Sequence, residues 1–252
     1  MRSLRLPIFL LLPTLLLTAC ANHVGPDGQR ENRFDPRYIA KGEIDRVIDT
    51  NRAEVMAGLR RIAEKLYKRN PKEWQKAGMA GIEPALERLF AGSVDFAELE
   101  GRREGAAALY AFNPAYKGDR VLALMAGLLG MSYAAFENKV DFYLLDDLNE
   151  QKLYNCARNI EIAIWKMSST KKGGGEGVGS GESVGNHEPL LLSNELDPNK
   201  PNLTFEREFG RIIGLLDFLS KIVADKHGRN ITRFTQSLAT ALFLPVGALG
   251  IR

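Results

Sequence analysis

The chain has 252 residues, of which 45% are hydrophobic and 26% charged, so its composition is that of a folded protein rather than a disordered one. Its 34 basic and 31 acidic side chains nearly balance, which excludes the strongly basic surface of a typical nucleic-acid-binding protein. With two cysteines it is neither a small disulfide-stapled scaffold nor a zinc ribbon built on cysteine pairs.

The N-terminus has the parts of an export signal. Arg2 and Arg5 form a positive region, the run from Leu6 to Leu17 is almost purely apolar, and small residues follow it. The apolar run is shorter than the roughly 18 to 20 residues that span a bilayer, and two prolines interrupt it. A cleaved signal is therefore favoured over a permanent transmembrane helix.

Residues Leu17-Thr18-Ala19-Cys20 resemble the lipobox of bacterial lipoproteins, whose cysteine is lipidated and becomes the first residue after cleavage. The resemblance implies a signal peptide at 1–19 and a membrane anchor of diacylglycerol, usually with an N-acyl chain, on Cys20. Several acyl chains hold a protein on a membrane stably, whereas one myristoyl chain does not. In such lipoproteins an Asp after the cysteine favours the inner membrane, so Ala21 favours the outer membrane, facing the periplasm. The alternative is an ordinary secretory signal followed by a chance cysteine.

The mature chain is predicted to be all-α. Residues 20–37 are polar and rich in turn formers, which predicts a flexible tether, and His23 within it is expected to be solvated. Residues 38–252 are predicted to form a single domain, a bundle of about six to eight helices, because helical periodicity recurs and period-two strands do not. A disordered loop at about 171–201 is expected to interrupt it.

Apolar spacing predicts the first helices in chain order. Ile44 to Leu66 should form one helix or two abutting helices, ended by Asn70-Pro71, where Asn can cap a short helix around Trp74. Two or three short helices should follow between Ile82 and Phe112. The run from Val121 to Phe136 is apolar on all sides and too short to span a membrane, which predicts the central helix of the bundle.

Two long amphipathic helices are predicted after that. Their apolar residues run from Leu145 to Met167 and from Phe205 to Val223, the latter spaced 4-3-4-3-4, and the two helices should pack as an antiparallel hairpin. Ile231 to Leu244 is expected to form a docked terminal helix with Phe234, Leu238 and Leu242 inward, and Gly247 to Arg252 to be loose. The alternative is a segment that enters a membrane or a partner.

The loop between the two long helices contains a pattern associated with hydrolases. It carries seven glycines from Gly173 to Gly185, and Gly181 to Gly185 fits G-x-S-x-G around Ser183, with His187 close behind. A nucleophile elbow needs a strand before the motif and a helix after it. Since both flanks are Gly-rich, a chance match within a disordered loop is the favoured interpretation.

Histidines and charged clusters give no catalytic or metal site and imply no cofactor. His227 is predicted to serve exposed carbonyls at a helix C-terminus. The acidic cluster could contain a catalytic carboxylate pair, but a solvated helix junction is favoured. The basic cluster could dock on anionic lipid headgroups or on an acidic partner, but dipole complementarity at a helix C-terminus explains much of it without a partner. The acidic cluster comprises Glu137, Asp141, Asp146, Asp147 and Glu150; the basic cluster comprises Arg60, Arg61, Lys65, Lys68, Arg69, Lys72 and Lys76.

Small residues spaced by four predict close helix packing. Gly210 with Gly214 and Ala123 with Gly127 form such pairs, and each interior glycine destabilises a helix by about 1 kcal/mol relative to alanine. Cys156 lies in an apolar stripe and should be a buried thiol.

Two functions from different classes are compatible with these features. The favoured one is a lipid-anchored cell-envelope protein, a non-enzymatic helical scaffold or partner-binding lipoprotein. The alternative is an envelope hydrolase whose carboxylates are brought together from distant helices.

Overall fold

The computed structural model describes residues 41–93, 95–143, 146–170, 189–195, 201–228, 231–232 and 242–247, together with the strand backbone at 23–24 and 30–31. Within these residues the fold is all-α, as predicted, with seven α-helices and a 3-10 turn at Ala97–Leu99. Every described helix is too short or too polar to cross a bilayer. The helices are α1 (Glu43–Arg69), α2 (Pro71–Lys76), α3 (Ile82–Leu89), α4 (Glu104–Tyr110), α5 (Arg120–Ala135), α6 (Glu150–Ser169) and α7 (Thr204–His227).

The contacts divide the chain into a small and a large compact unit. Among the described residues, the small one includes 23–24, 30–31, 41–46, 142–143 and 146, and the large one includes those from 47 to 141 and from 147 onwards. In the small unit, the Lys41 ammonium lies 4.9 Å from the centre of the Tyr143 ring, and Asp146 accepts a hydrogen bond from the Tyr143 amide. Two short strands, β1 (His23–Val24) and β2 (Arg30–Glu31), pair antiparallel within the predicted tether.

Helix α5 is the centre of the large unit, which confirms the prediction made from its apolar composition. Fifteen of its sixteen residues are buried. The helix begins at Asp119, whose Oδ1 accepts a hydrogen bond from the Leu122 amide at 2.9 Å. Gly127 lets α4 approach closely, because a Cβ there would lie 2.5 Å from the backbone nitrogen of Ala108.

Helices α6 and α7 form the predicted antiparallel hairpin. The start of α6 lies beside the end of α7, where Glu150 meets His227, and Arg158 pairs with Asp217 at 2.6 Å in the middle. All six apolar residues that predicted α7 are buried: Phe205, Phe209, Ile212, Leu216, Leu219 and Val223.

Gly210 and Gly214, in contrast, do not mark a helix contact. Both are exposed on the outer side of α7, and a Cβ at either position would meet nothing within 4 Å. The prediction of close packing at this pair is wrong, because the apolar stripe of α7 turns the opposite side of the helix towards its neighbours.

The N-terminal helices follow the sequence pattern with two differences. Helix α1 is one continuous helix of 27 residues, and Ile44 and Val47 at its start are 37% and 41% exposed rather than buried. Asn70 precedes α2 but makes no side-chain cap, since its amide binds backbone groups elsewhere.

Part of the segment predicted as a disordered loop packs against the bundle. Leu191 is buried, and Glu195 exchanges two backbone hydrogen bonds with Asn202, at 3.0 and 2.8 Å. Residues 171–188 and 196–200 lie outside the described residues, so disorder there stays a prediction.

The C-terminal segment is not the predicted helix at its end. Residues 242–245 are non-helical, and Leu242 is 72% exposed instead of facing inward. Asn155 and Asn159 of α6 form hydrogen bonds with the backbone groups of Leu244 and Pro245. These groups are therefore not available for helical hydrogen bonds. Residues 233–241, including Phe234 and Leu238, lie outside the described residues.

Candidate functional site

Several residues singled out by their sequence pattern lie outside the described part of the chain. These are Cys20, Ser183 and His187, so the lipid attachment and the G-x-S-x-G pattern stay predictions. Cys156 is described and is buried, as predicted. Burial raises the pKa of its thiol to about 12, and the sulfur lies 3.7 Å from the Ser132 hydroxyl.

Three acids of the acidic cluster lie beside two side chains, Lys152 and His227, that the sequence did not associate with them. The Lys152 ammonium, which is buried, lies 2.7 Å from Glu137. His227 Nε2 lies 2.5 Å from Asp147 Oδ1, and its Nδ1 lies 3.7 Å from Glu150. The expectation that His227 serves backbone carbonyls is wrong, because the antiparallel hairpin brings the end of α7 beside these acids.

Most cations of the basic cluster are paired with carboxylates of the protein itself. Glu208 on α7 lies 2.9 Å from Arg61 and 3.9 Å from Lys65, and therefore links α1 to α7. Partly exposed pairs of this kind contribute little free energy each, but they leave few cations of the cluster available for an outside partner. The other pairs are Arg60 with Glu83, Lys68 with Glu64, Arg69 with Glu195 and Lys76 with Glu73.

A buried polar group surrounds the start of α5. The Tyr67 hydroxyl donates to Asp119 Oδ2 at 2.9 Å, and Glu73 accepts from the Arg120 amide at 2.8 Å. Burial raises the pKa of Asp119 to about 6. The Arg120 guanidinium donates to three carbonyls of the preceding loop, so this group fixes the entry into α5.

A cavity of about 430 Å³ lies where α6 ends and α7 begins. Met167, Phe205 and Phe209 form an apolar floor, and Asn194 and Glu206 lie at its polar side. Asn194 Nδ2 donates to Glu206 at 2.7 Å, while Asn194 Oδ1 is buried without a described partner. Glu206 is the one carboxylate among the described lining residues, so this cavity does not bring two carboxylates together.

The most unusual site is a row of side-chain amides on α6. Gln151, Asn155 and Asn159 are spaced by four residues and therefore lie on one face of the helix. Asn155 and Asn159 are 1% and 0% exposed. Buried amides require hydrogen-bond partners, since an unpaired polar group in the interior is unfavourable by about 1–3 kcal/mol.

The partners are backbone groups of two distant segments. Asn159 Oδ1 accepts from the Leu244 amide at 2.6 Å, and its Nδ2 donates to the Leu244 carbonyl at 2.8 Å. Asn155 donates to the Pro245 carbonyl at 2.8 Å. Gln151 makes the same two-bond clamp on Thr232, at 2.8 and 3.0 Å.

A similar clamp lies directly after the end of α1. Asn70 donates to the Leu192 carbonyl at 2.9 Å and accepts from the Leu192 amide at 2.8 Å. A side-chain amide that engages both backbone groups of one residue acts as a substitute for a neighbouring β-strand. Such a clamp recognises an extended backbone rather than a particular side chain.

Helix α4 contacts the far side of the segment held by α6. Glu104 Oε2 accepts from the Gly247 amide at 3.1 Å. Gly105 lets Phe243 approach, because a Cβ there would lie 2.7 Å from the Phe243 Cβ. Val246 is completely buried. The segment therefore lies in a groove between α4 and α6.

Sequence reasoning missed this groove. The four-residue spacing of Gln151, Asn155 and Asn159 was the available signal, since an amide row interleaved with the buried Cys156 and Ile160 cannot face solvent throughout.

Comparisons with protein-family models, with curated proteins and with solved structures find no match for this chain.

Proposed function

We propose that the mature protein is a lipid-anchored cell-envelope protein that acts as a helical scaffold or partner-binding domain rather than as an enzyme. The observation that carries the proposal is Leu17-Thr18-Ala19-Cys20 directly behind a short apolar run. Ala21 after the cysteine supports the outer membrane, facing the periplasm, as its location.

The arrangement of polar groups supports binding over catalysis. Glu137 and Asp147 of the acidic cluster are held by Lys152 and His227, and the buried amides Asn155 and Asn159 of α6 hold peptide backbone. The alternative, an envelope hydrolase, needs two carboxylates facing one cleft. Glu206 in the 430 Å³ cavity has no such partner among the described lining residues.

Metabolic labelling with palmitate in a lipoprotein-processing bacterium tests the anchor. The Cys20→Ala variant should incorporate no label and keep its signal peptide, because the acyl acceptor is gone. Cys156→Ala is the matched control and should be labelled normally, since its thiol is buried. Labelled Cys20→Ala protein would contradict the proposal.

Membrane fractionation tests the location separately. The wild-type protein should sediment with the outer membrane, Ala21→Asp should shift it to the inner membrane, and Ala21→Ser should not. An unchanged distribution of Ala21→Asp would contradict the role given to Ala21.

A further inference from the structure

The last described segment of the chain, residues 242–247, is bound much as a peptide ligand would be. We name this segment the C-terminal strap. We propose that the groove between α4 and α6 binds a non-helical apolar peptide segment of a partner protein, and that the strap is its intramolecular occupant. This proposal deepens the partner-binding role and rests on it.

The groove recognises peptide backbone. Two hydrogen bonds are donated by Asn155 and Asn159 to the strap carbonyls of Pro245 and Leu244, and two are donated by the strap amides of Leu244 and Gly247 to the groove. Backbone groups are the same in every peptide, so a partner's segment offers the same donors and acceptors.

The buried amides of the groove require hydrogen-bond partners. Asn155 and Asn159 are almost fully buried, and without the strap their amide groups would lose these partners. Water-excluded amides favour an occupant that restores two-sided hydrogen bonding, which a peptide backbone does and a hydrocarbon chain does not. The groove therefore selects a peptide over a lipid acyl chain.

The strap residues Val246 and Gly247 indicate which peptide fits the groove. Val246 is completely buried and serves as the anchoring side chain. A small residue is favoured next, because a Cβ on Gly247 would meet the Glu104 carboxylate, which would have to move and give up its hydrogen bond to the Gly247 amide. The backbone bends at Val246 and turns at Gly247. The groove thus fits a non-helical segment with a mid-sized apolar residue followed by a small residue.

The exposed end of the strap offers a way for another segment to displace it. Leu242 is 72% exposed, so the strap is fastened at one end and not at the other. A cavity of about 370 Å³ lies beside it, lined by α4 residues and by the strap itself. An incoming segment can contact α4 there before the strap leaves.

Peptide binding to the full-length protein, purified in detergent, tests the proposal. The probe is a fluorescent hexapeptide with the sequence of residues 242–247, blocked at its C-terminus by amidation, and binding is followed by anisotropy. The wild-type protein should bind it weakly, because a tethered strap competes at an effective concentration on the order of 1 mM. Val246→Asp should release the strap and increase the affinity at least about tenfold.

Two controls separate the groove from non-specific binding. Leu242→Asp places the same charge on the exposed end of the strap and should leave the affinity at the wild-type value. Adding Asn159→Ala to Val246→Asp should remove the gain. A folded Val246→Asp protein that binds no better than wild type, or a gain that survives Asn159→Ala, would overturn the proposal.

A milder variant covers the case in which Val246→Asp fails to fold. Gly247→Ala places a Cβ against the Glu104 carboxylate, which must move and loses its hydrogen bond to the strap, so this variant should increase peptide affinity several-fold. No gain in Gly247→Ala would overturn the groove. Since none of these measurements depends on acylation of Cys20, failure of the anchor and failure of the groove are distinguished.

Discussion

Helices α5 and α6 are both largely buried, but they are buried in different ways. Helix α5 fills its surroundings with apolar side chains, fifteen of its sixteen residues being buried. Helix α6 buries four polar side chains, Glu150, Lys152, Asn155 and Asn159, and each has a specific partner. Apolar packing depends on volume and shape, whereas buried polar groups depend on particular donors and acceptors. Damage to α5 should therefore lower the stability of the whole unit, and damage to the amide row should release a segment.

The largest expected effect is a cavity in α5. Leu128→Ala should lower the free energy of unfolding by about 2–5 kcal/mol, because the side chain is completely buried and the space is not refilled. Leu109→Ala on α4 is the matched control and should change it by less than about 1 kcal/mol, since Leu109 is 38% exposed. Urea unfolding measures both. Equal losses would show that α5 is not the centre of the core.

The second effect concerns the polar start of α5. The folded state holds the Asp119 proton to about pH 6, whereas an unfolded chain releases it near pH 4. The free energy of unfolding should therefore fall, relative to Asp119→Asn, by up to about 3 kcal/mol as the pH rises from 4 to 6. Asn retains an acceptor for the Leu122 amide. Urea unfolding of both proteins at pH 4 and pH 7 checks this, and parallel pH curves would contradict it.

The third effect compares two glycines with opposite surroundings. Gly127→Ala should lower the free energy of unfolding by about 1–3 kcal/mol, because its Cβ meets the α4 backbone. Gly210→Ala should raise it by about 0.5–1 kcal/mol, since its Cβ meets open space and alanine favours the helix. Thermal unfolding should shift in opposite directions; shifts of the same sign would be inconsistent with the packing described for α4 and α5.

The sequence was most informative where hydrophobicity alone decides the structure. Val121 to Phe136 and the stripe from Phe205 to Val223 predicted α5 and α7 correctly, because apolar side chains leave water whatever their exact neighbours are. The four-residue spacing of Gly210 and Gly214 predicted a helix contact wrongly, since a small residue fits both a tight contact and an exposed side of a helix.

The groove could not be predicted because its partners are far apart in the chain. Asn159 and Leu244 are separated by 85 residues, and an asparagine on a helix is usually exposed. Residues 237–251 carry no charge and are largely apolar, which favoured a terminal helix, although Pro245 already limited how far that helix could extend. His227 was likewise assigned to helix-end carbonyls because Asp147 is far from it in the chain. Only the antiparallel hairpin brings the two side chains together.

Amide hydrogen exchange at Leu244 tests most directly whether the amide row holds the strap. In the wild-type protein the Leu244 N–H should exchange slowly, because it donates to the buried Asn159 Oδ1. In Asn159→Ala it should exchange at least about tenfold faster, while the amides of α5 keep their wild-type rates. Unchanged exchange at Leu244, or equal acceleration throughout α5, would contradict the account of α6 as a helix that holds a separable segment.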